Sequence, residues 1–226
     1  MSGIAILSVA LALAAPAFAQ NPPSREELAI YAGLHEAAAK GDVAAIERLI
    51  AEGEKPNIQD SKSRTPLLVA AYMKQHDAAR ALIRLGADPN ALDLHHYDIV
   101  TIAAVRNDLE MLKLALDGGA SAKTVTSRYQ GTALIAAAHL GHVEAVNVLI
   151  AAKAPLNHVN NLGWTALMEA IVLGRGEAKH TATVKALVEA GADVNIADRG
   201  GTTPLQHARR RGYVEMARIL ENAGGH

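Results

Sequence analysis

The chain has 226 residues, half of them apolar but only 3% aromatic, with 20% charged residues and a net charge of −1. The apolar content excludes a disordered chain, and the balanced charge excludes the basic stripe of a nucleic-acid-binding protein. A core of Ala, Leu, Ile and Val with so few rings suits thin helices packed closely, because interaxial distance follows side-chain size.

Residues 1–19 stand apart. Met1 to Gln20 contain no Asp, Glu, Lys or Arg. The stretch Ile4 to Ala15, apolar apart from Ser8, spans 12 residues. That is too short to cross a hydrocarbon core of about 30 Å as a helix. Ala17-Phe18-Ala19 offers the small-x-small pattern of a signal-peptidase site. The expectation is an export signal over 1–19, cleaved after Ala19, although its n-region lacks Lys and Arg. An uncleaved apolar anchor is the alternative. There is no cysteine, which suits an oxidising compartment. No later apolar stretch approaches 18 residues, so no membrane association is expected after cleavage.

Residues 20–31 read as a linker and the start of an N-terminal capping helix. Pro22-Pro23 is a stiff spacer, and Ser24-Arg25-Glu26-Glu27 has the pattern of a capping box. Leu28, Tyr31 and Leu34 recur at helical spacing, which predicts an early start to the first helix.

A repeat governs the rest. Thr65-Pro66-Leu67, Thr132-Ala133-Leu134, Thr165-Ala166-Leu167 and Thr203-Pro204-Leu205 share one register with the degraded Ala32-Gly33-Leu34 and Asp98-Ile99-Val100. Their first residues lie 33, 33, 34, 33 and 38 residues apart. Alanine pairs follow (Ala37-Ala38, Ala70-Ala71, Ala103-Ala104, Ala137-Ala138), then apolar pairs such as Leu49-Ile50, Leu82-Ile83 and Leu149-Ile150. Gly53, Gly86, Gly119, Gly191 and Gly224 come next, and Asn57, Asn90, Asn157 and Asn195 close the unit. A Thr hydroxyl caps a helix, and Pro at the first helical position loses no hydrogen bond. Paired Ala admits a close neighbour, Gly ends the second helix left-handed, and Asn supports a turn. Each unit is therefore helix, turn, helix and hairpin-like loop, and it buries its apolar face only by stacking.

Gly163-Trp164-Thr165-Ala166-Leu167, Gly191-Ala192-Asp193-Val194-Asn195 and Thr203-Pro204-Leu205-Gln206-His207-Ala208 resemble ankyrin repeats. The resemblance covers residues 32–225. It implies an all-α solenoid of about six stacked helix-turn-helix units with hairpin loops along one edge. The repeats fall near 32–64, 65–97, 98–131, 132–164, 165–202 and 203–226. It also implies binding to another protein, with no shared catalytic residues. Similarity to exported bacterial ankyrin proteins implies a periplasmic binder that scaffolds, stabilises or inhibits its partner. A secreted effector that binds a host protein is the alternative. Arg209 and Glu221 put polar groups where earlier units stack apolar ones, as a terminal unit requires.

Stacking does not dictate the loop tips, so they are candidate partner contacts: Arg64; His95, His96 and Tyr97; Arg128 and Tyr129; and Trp164. Exposed aromatics and Arg are enriched at interfaces. The register adds first-helix residues Tyr72, Met73, Arg106 and His139 on the concave side. The fifth unit inserts Arg175 to His180, read as a tolerated surface loop or a contact for one partner. Ten histidines raise a metal-binding or enzymatic alternative through His139-x-x-His142 and His95-His96. No Cys or clear carboxylate partner completes such a site. No phosphate loop or nucleophile elbow is present. A non-enzymatic monomer without cofactor is expected.

Overall fold

The computed structural model describes residues 20–226, so the leader expected over 1–19 lies outside the described residues. Thirteen helices occur among these residues. A short helix α1 (Arg25–Ile30) precedes six pairs: α2 (Gly33–Lys40) with α3 (Val43–Ala51), α4 (Pro66–Tyr72) with α5 (His76–Arg84), and α6 (Ile99–Val105) with α7 (Leu109–Asp117). The others are α8 (Ala133–Leu140) with α9 (Val143–Ala151), α10 (Ala166–Val172) with α11 (Ala178–Glu189), and α12 (Pro204–Arg210) with α13 (Val214–Asn222). First helices α2, α4, α6, α8, α10 and α12 stack in order, and the second helices stack alongside them.

The repeated residues do the work that their chemistry predicts. The hydroxyls of Thr65, Thr132, Thr165 and Thr203 accept from Leu68, Ile135, Met168 and Gln206 N–H at 3.2–3.4 Å. Asp98 caps α6 in the same way, at 2.8 Å from Thr101 N. Ala32 has no hydroxyl, and Glu54 supplies an acceptor to Leu34 N–H at 3.2 Å instead. The alanine pairs are buried between successive first helices. One contiguous apolar core runs from Leu34 to Leu220, which is how units without private cores gain stability.

Two polar ladders join neighbouring units at opposite ends of the helices. At the hairpin edge, Asn57 donates to Gly86 O and accepts from Asp88 N–H, at 3.3 and 2.8 Å. Asn90 does the same with Gly119 O and Ser121 N–H, and Asn195 with Gly224 O and His226 N–H. Asn157 accepts from Asp193 N–H. The recurring Asn thus serves the next unit, beyond its own turn. At the other end, Gln75 donates to Ala39 O, His142 Nδ1 to Ala104 O, His180 Nε2 to His139 O, and Tyr213 OH to Gly174 O, at 3.0–3.2 Å. Each of these carbonyls lies in the previous unit.

Two local expectations are corrected. The first helix does not run through Tyr31: α1 ends at Ile30, Tyr31 is extended, and α2 begins at Gly33. The break lets the Tyr31 hydroxyl reach Asp60 at 2.6 Å. The Arg175–His180 insertion is only partly a loop. Ala178, Lys179 and His180 add a turn to α11, and His180 is buried where it bonds the fourth unit.

Candidate protein-binding surface

The candidate contacts lie on two surfaces that stacking leaves open: the ends of the first helices and the hairpin edge. Met73, Arg106, Leu140 and Leu173 occupy equivalent positions at the ends of α4, α6, α8 and α10, and all are partly buried. Val105 and Val172 precede two of them in the same register and are also half-buried. The row is apolar except at Arg106. Among the described residues, the Arg106 Nε is buried without a hydrogen-bond partner and no carboxylate pairs with the guanidinium. A desolvated donor left unmade is costly, so this group favours an incoming acceptor.

His139 is half-buried beside that row. Its Nδ1 lies 2.9 Å from Glu169 Oε2, and Glu169 Oε1 accepts from Asn160 Nδ2 at 2.9 Å. Glu169 is 1% exposed. The sequence carries a partial signal: the equivalent positions of the three preceding units hold Val69, Ile102 and Ala136, while the two terminal units hold the polar Glu36 and His207. A buried carboxylate needs partners, and His139 and Asn160 supply them. His139 is thus an inter-unit strut as much as a surface group.

Three candidate contacts are corrected in their exposure. Arg64, Tyr72 and Tyr97 are only 1%, 2% and 5% exposed. Tyr72 OH donates to Asp93 Oδ2 at 2.9 Å, while Asp93 Oδ1 accepts the N–H of His95 and Tyr97, each at 2.9 Å. Burial pushes both phenols above their ordinary pKa. The physical reason is that an Asp at the hairpin base gathers nearby donors inward. Asp60 does the same, accepting from Arg64 Nε at 2.7 Å and from Tyr31 OH. Burial opposes its charge, but bonds from Tyr31 and Arg64 hold the Asp60 carboxyl below its usual value. Asn160 and Asp198 repeat the arrangement, Asp198 with His207 at 2.8 Å.

The remaining tip residues stay on the edge. His95 and His96 are exposed, Trp164 is half-buried, and Arg128 stacks over Tyr129 with its guanidinium carbon 5.0 Å from the ring centroid. Leu94, Val125, Val159 and Leu162 add exposed apolar area along the same edge. Backbone bonds tie successive tips: Leu94 N–H to Lys62 O, Ser127 N–H to His96 O, and Asn161 N–H to Tyr129 O, at 2.8–3.0 Å. Among the described residues no cluster of three His, Cys, Asp or Glu side chains is placed to hold a metal ion. His142, the partner of His139 in the His-x-x-His spacing, spends its Nδ1 on Ala104 O. No helix among the described residues is long and apolar enough to cross a membrane.

Stacked helix pairs with a variable edge define a repeat scaffold. A profile of ankyrin repeats, in three copies, matches residues 31–93 and 100–198, and the chain belongs to the ankyrin repeat family. It is 36% identical to the ankyrin repeat protein YahD of Escherichia coli (strain K12), over 83% of this chain and 94% of that protein. The crystal structure of an ankyrin repeat domain from Acinetobacter baumannii AYE superposes with a TM-score of 0.82 at 46% identity, covering 85% of this chain and 98% of that one. The B-cell lymphoma 3 protein homolog of Mus musculus is 28% identical over 84% of this chain, which spans only 43% of that longer protein. Ankyrin repeats are protein–protein interaction modules, and proteins built from them are generally non-catalytic.

Proposed function

We propose that this protein is an exported, non-catalytic binder that grips a partner protein with its first-helix face and hairpin edge, and so scaffolds, stabilises or inhibits it in the periplasm. The observation that carries this reading is Arg106, a buried and unpaired donor set in an apolar row. Such a group contributes when an acceptor on another protein reaches it. Trp164, Arg128 with Tyr129, and the exposed His95 and His96 extend the grip along the edge. The binder acts as a monomer, and the leader pattern over 1–19 supports export.

Affinity capture from a periplasmic extract tests the reading. The native chain should retain a specific protein, and R106A or W164A should weaken the purified pair by ~2 kcal/mol or more at a hot spot. Unchanged affinity for both variants would discard this surface. Sequencing the amino terminus of protein recovered from the periplasmic fraction should return Gln20 first. Recovery from the culture medium instead would favour the secreted-effector reading.

A further inference from the structure

The segment before the repeats is not free. Gln20 Nε2 donates to Thr101 O in α6 of the third unit, 81 residues away, at 3.3 Å. Asn21 O accepts from Arg64 Nη1 at 3.2 Å, and Pro23 is buried. Ser24 and Glu27 close a capping box that starts α1. Glu27 Oε1 then lies 2.8 Å from Arg64 Nη2, and Tyr31 OH bonds Asp60. The segment thus crosses from the first unit, past the first hairpin, to the third unit. Its extended part makes backbone and amide contacts, and its one charged contact is a carboxylate on a buried Arg. Within the Arg64 guanidinium, only Nε is committed to its own hairpin, through Asp60. Nη1 and Nη2 both serve the segment.

The chain's own leading segment thus occupies this surface, extended up to Ser24 and helical from Arg25. We propose that residues 20–27 are an internal ligand in a peptide-binding groove over the first three units, and that an acidic segment of the partner enters by displacing them. The proposal rests on the protein-binding reading above and names its mode of recognition. A tethered ligand holds its site at a high effective concentration. The apparent affinity of any competing segment falls by the fraction of molecules in which the groove is open. Weakening the tether should therefore raise the affinity for an acidic segment, whereas removing Arg64 should abolish it.

The test uses the full chain and a labelled synthetic peptide of residues 20–31. Glu27→Lys sets a cation against Arg64 at a partly exposed position and should release the segment without disturbing the core. The E27K chain should bind the peptide at least tenfold more tightly than the native chain does, and E27K with R64A should lose that binding. Thermal melting and helix content confirm that each variant is folded, and R64K serves if R64A is not. Faster backbone hydrogen exchange over 24–31 in E27K checks release independently. Failure of the peptide to bind the released chain, or equal binding by both chains, overturns the groove. A protein captured by the native chain should be captured more strongly by E27K. Equal or weaker capture overturns the competition and leaves the protein-binding function standing, because that function is tested by capture on the native chain alone.

Discussion

The hairpin between the second and third units and the hairpin between the third and fourth do the same job with different parts. In the former, Asp93 anchors the base, Asn90 reaches the next unit, and Gly86 ends the preceding helix at φ 94°. In the latter, Thr126 replaces the Asp and meets only Thr101, Oγ1 to Oγ1, at 3.1 Å. Lys123 stands in the Asn register and makes no comparable bond, and one extra residue lengthens the tip. Ser127 and Gln130 both take positive φ, at 63° and 53°. Further on, Lys153 adopts φ 61° where other units place Gly. Yet α6 stacks on α8, and the hairpin still closes through a single bridge between Thr126 and Gly131. Apolar stacking and edge bonding are therefore separable. The core fixes the array, and the edge is free to vary where the proposed contacts Arg128 and Tyr129 sit.

The largest test of that contrast is at the hairpin base. D93A should cost about 2–4 kcal/mol, because it strands the buried Tyr72 hydroxyl and two backbone N–H groups. T126A should cost about 1 kcal/mol, the worth of one hydrogen bond. Equal shifts in urea midpoint for the two variants would break the comparison. The ladder comes next: N90A should lose about 1 kcal/mol, and K123N should gain up to about the same by adding the missing rung. A loss of stability in K123N would mean that this junction is spaced too widely for one. Replacing Lys153 with Gly should raise stability by about 0.5–1 kcal/mol, by relieving a side chain held at positive φ.

The opposite ends of the helices offer a pH test. His180 donates from Nε2 to a carbonyl, so its buried Nδ1 is the unprotonated nitrogen and, among the described residues, has no hydrogen bond, with Glu177 Oε2 4.0 Å away. Burial lowers its pKa from the ordinary 6.5. The unfolded chain therefore takes up a proton as pH falls through about 6.5, before the folded chain does. Stability contributed by neutral His180 is full above that value and declines below it. Gln75 makes the equivalent bond in the second unit without a titrating group. H180Q should flatten the decline in melting temperature between pH 7 and 5, and an unchanged slope would assign it to another group.

Much of this is legible in the sequence. The Thr and Asp caps could be read from residue type, because capping is a local interaction within one turn. So could the helix pairs, since period and alanine pairs repeat with the unit. Loop-tip residues were harder. Tyr97 and Arg64 read as exposed because their hairpins are exposed, but an Asp four residues earlier in the sequence turns each region inward. Glu169 shows only as a polar residue where the three preceding units are apolar, and its partners lie 30 and 9 residues away.

By itself the sequence determined the repeat, the helix caps and the obligatory stacking, because those depend on neighbours within a few residues and on a fixed period. The tertiary structure alone decided which polar groups end up buried and bonded, and that residues 20–27 reach from Arg64 at the first hairpin to Thr101 in the third unit. Those outcomes depend on partners that only folding brings within about 3 Å.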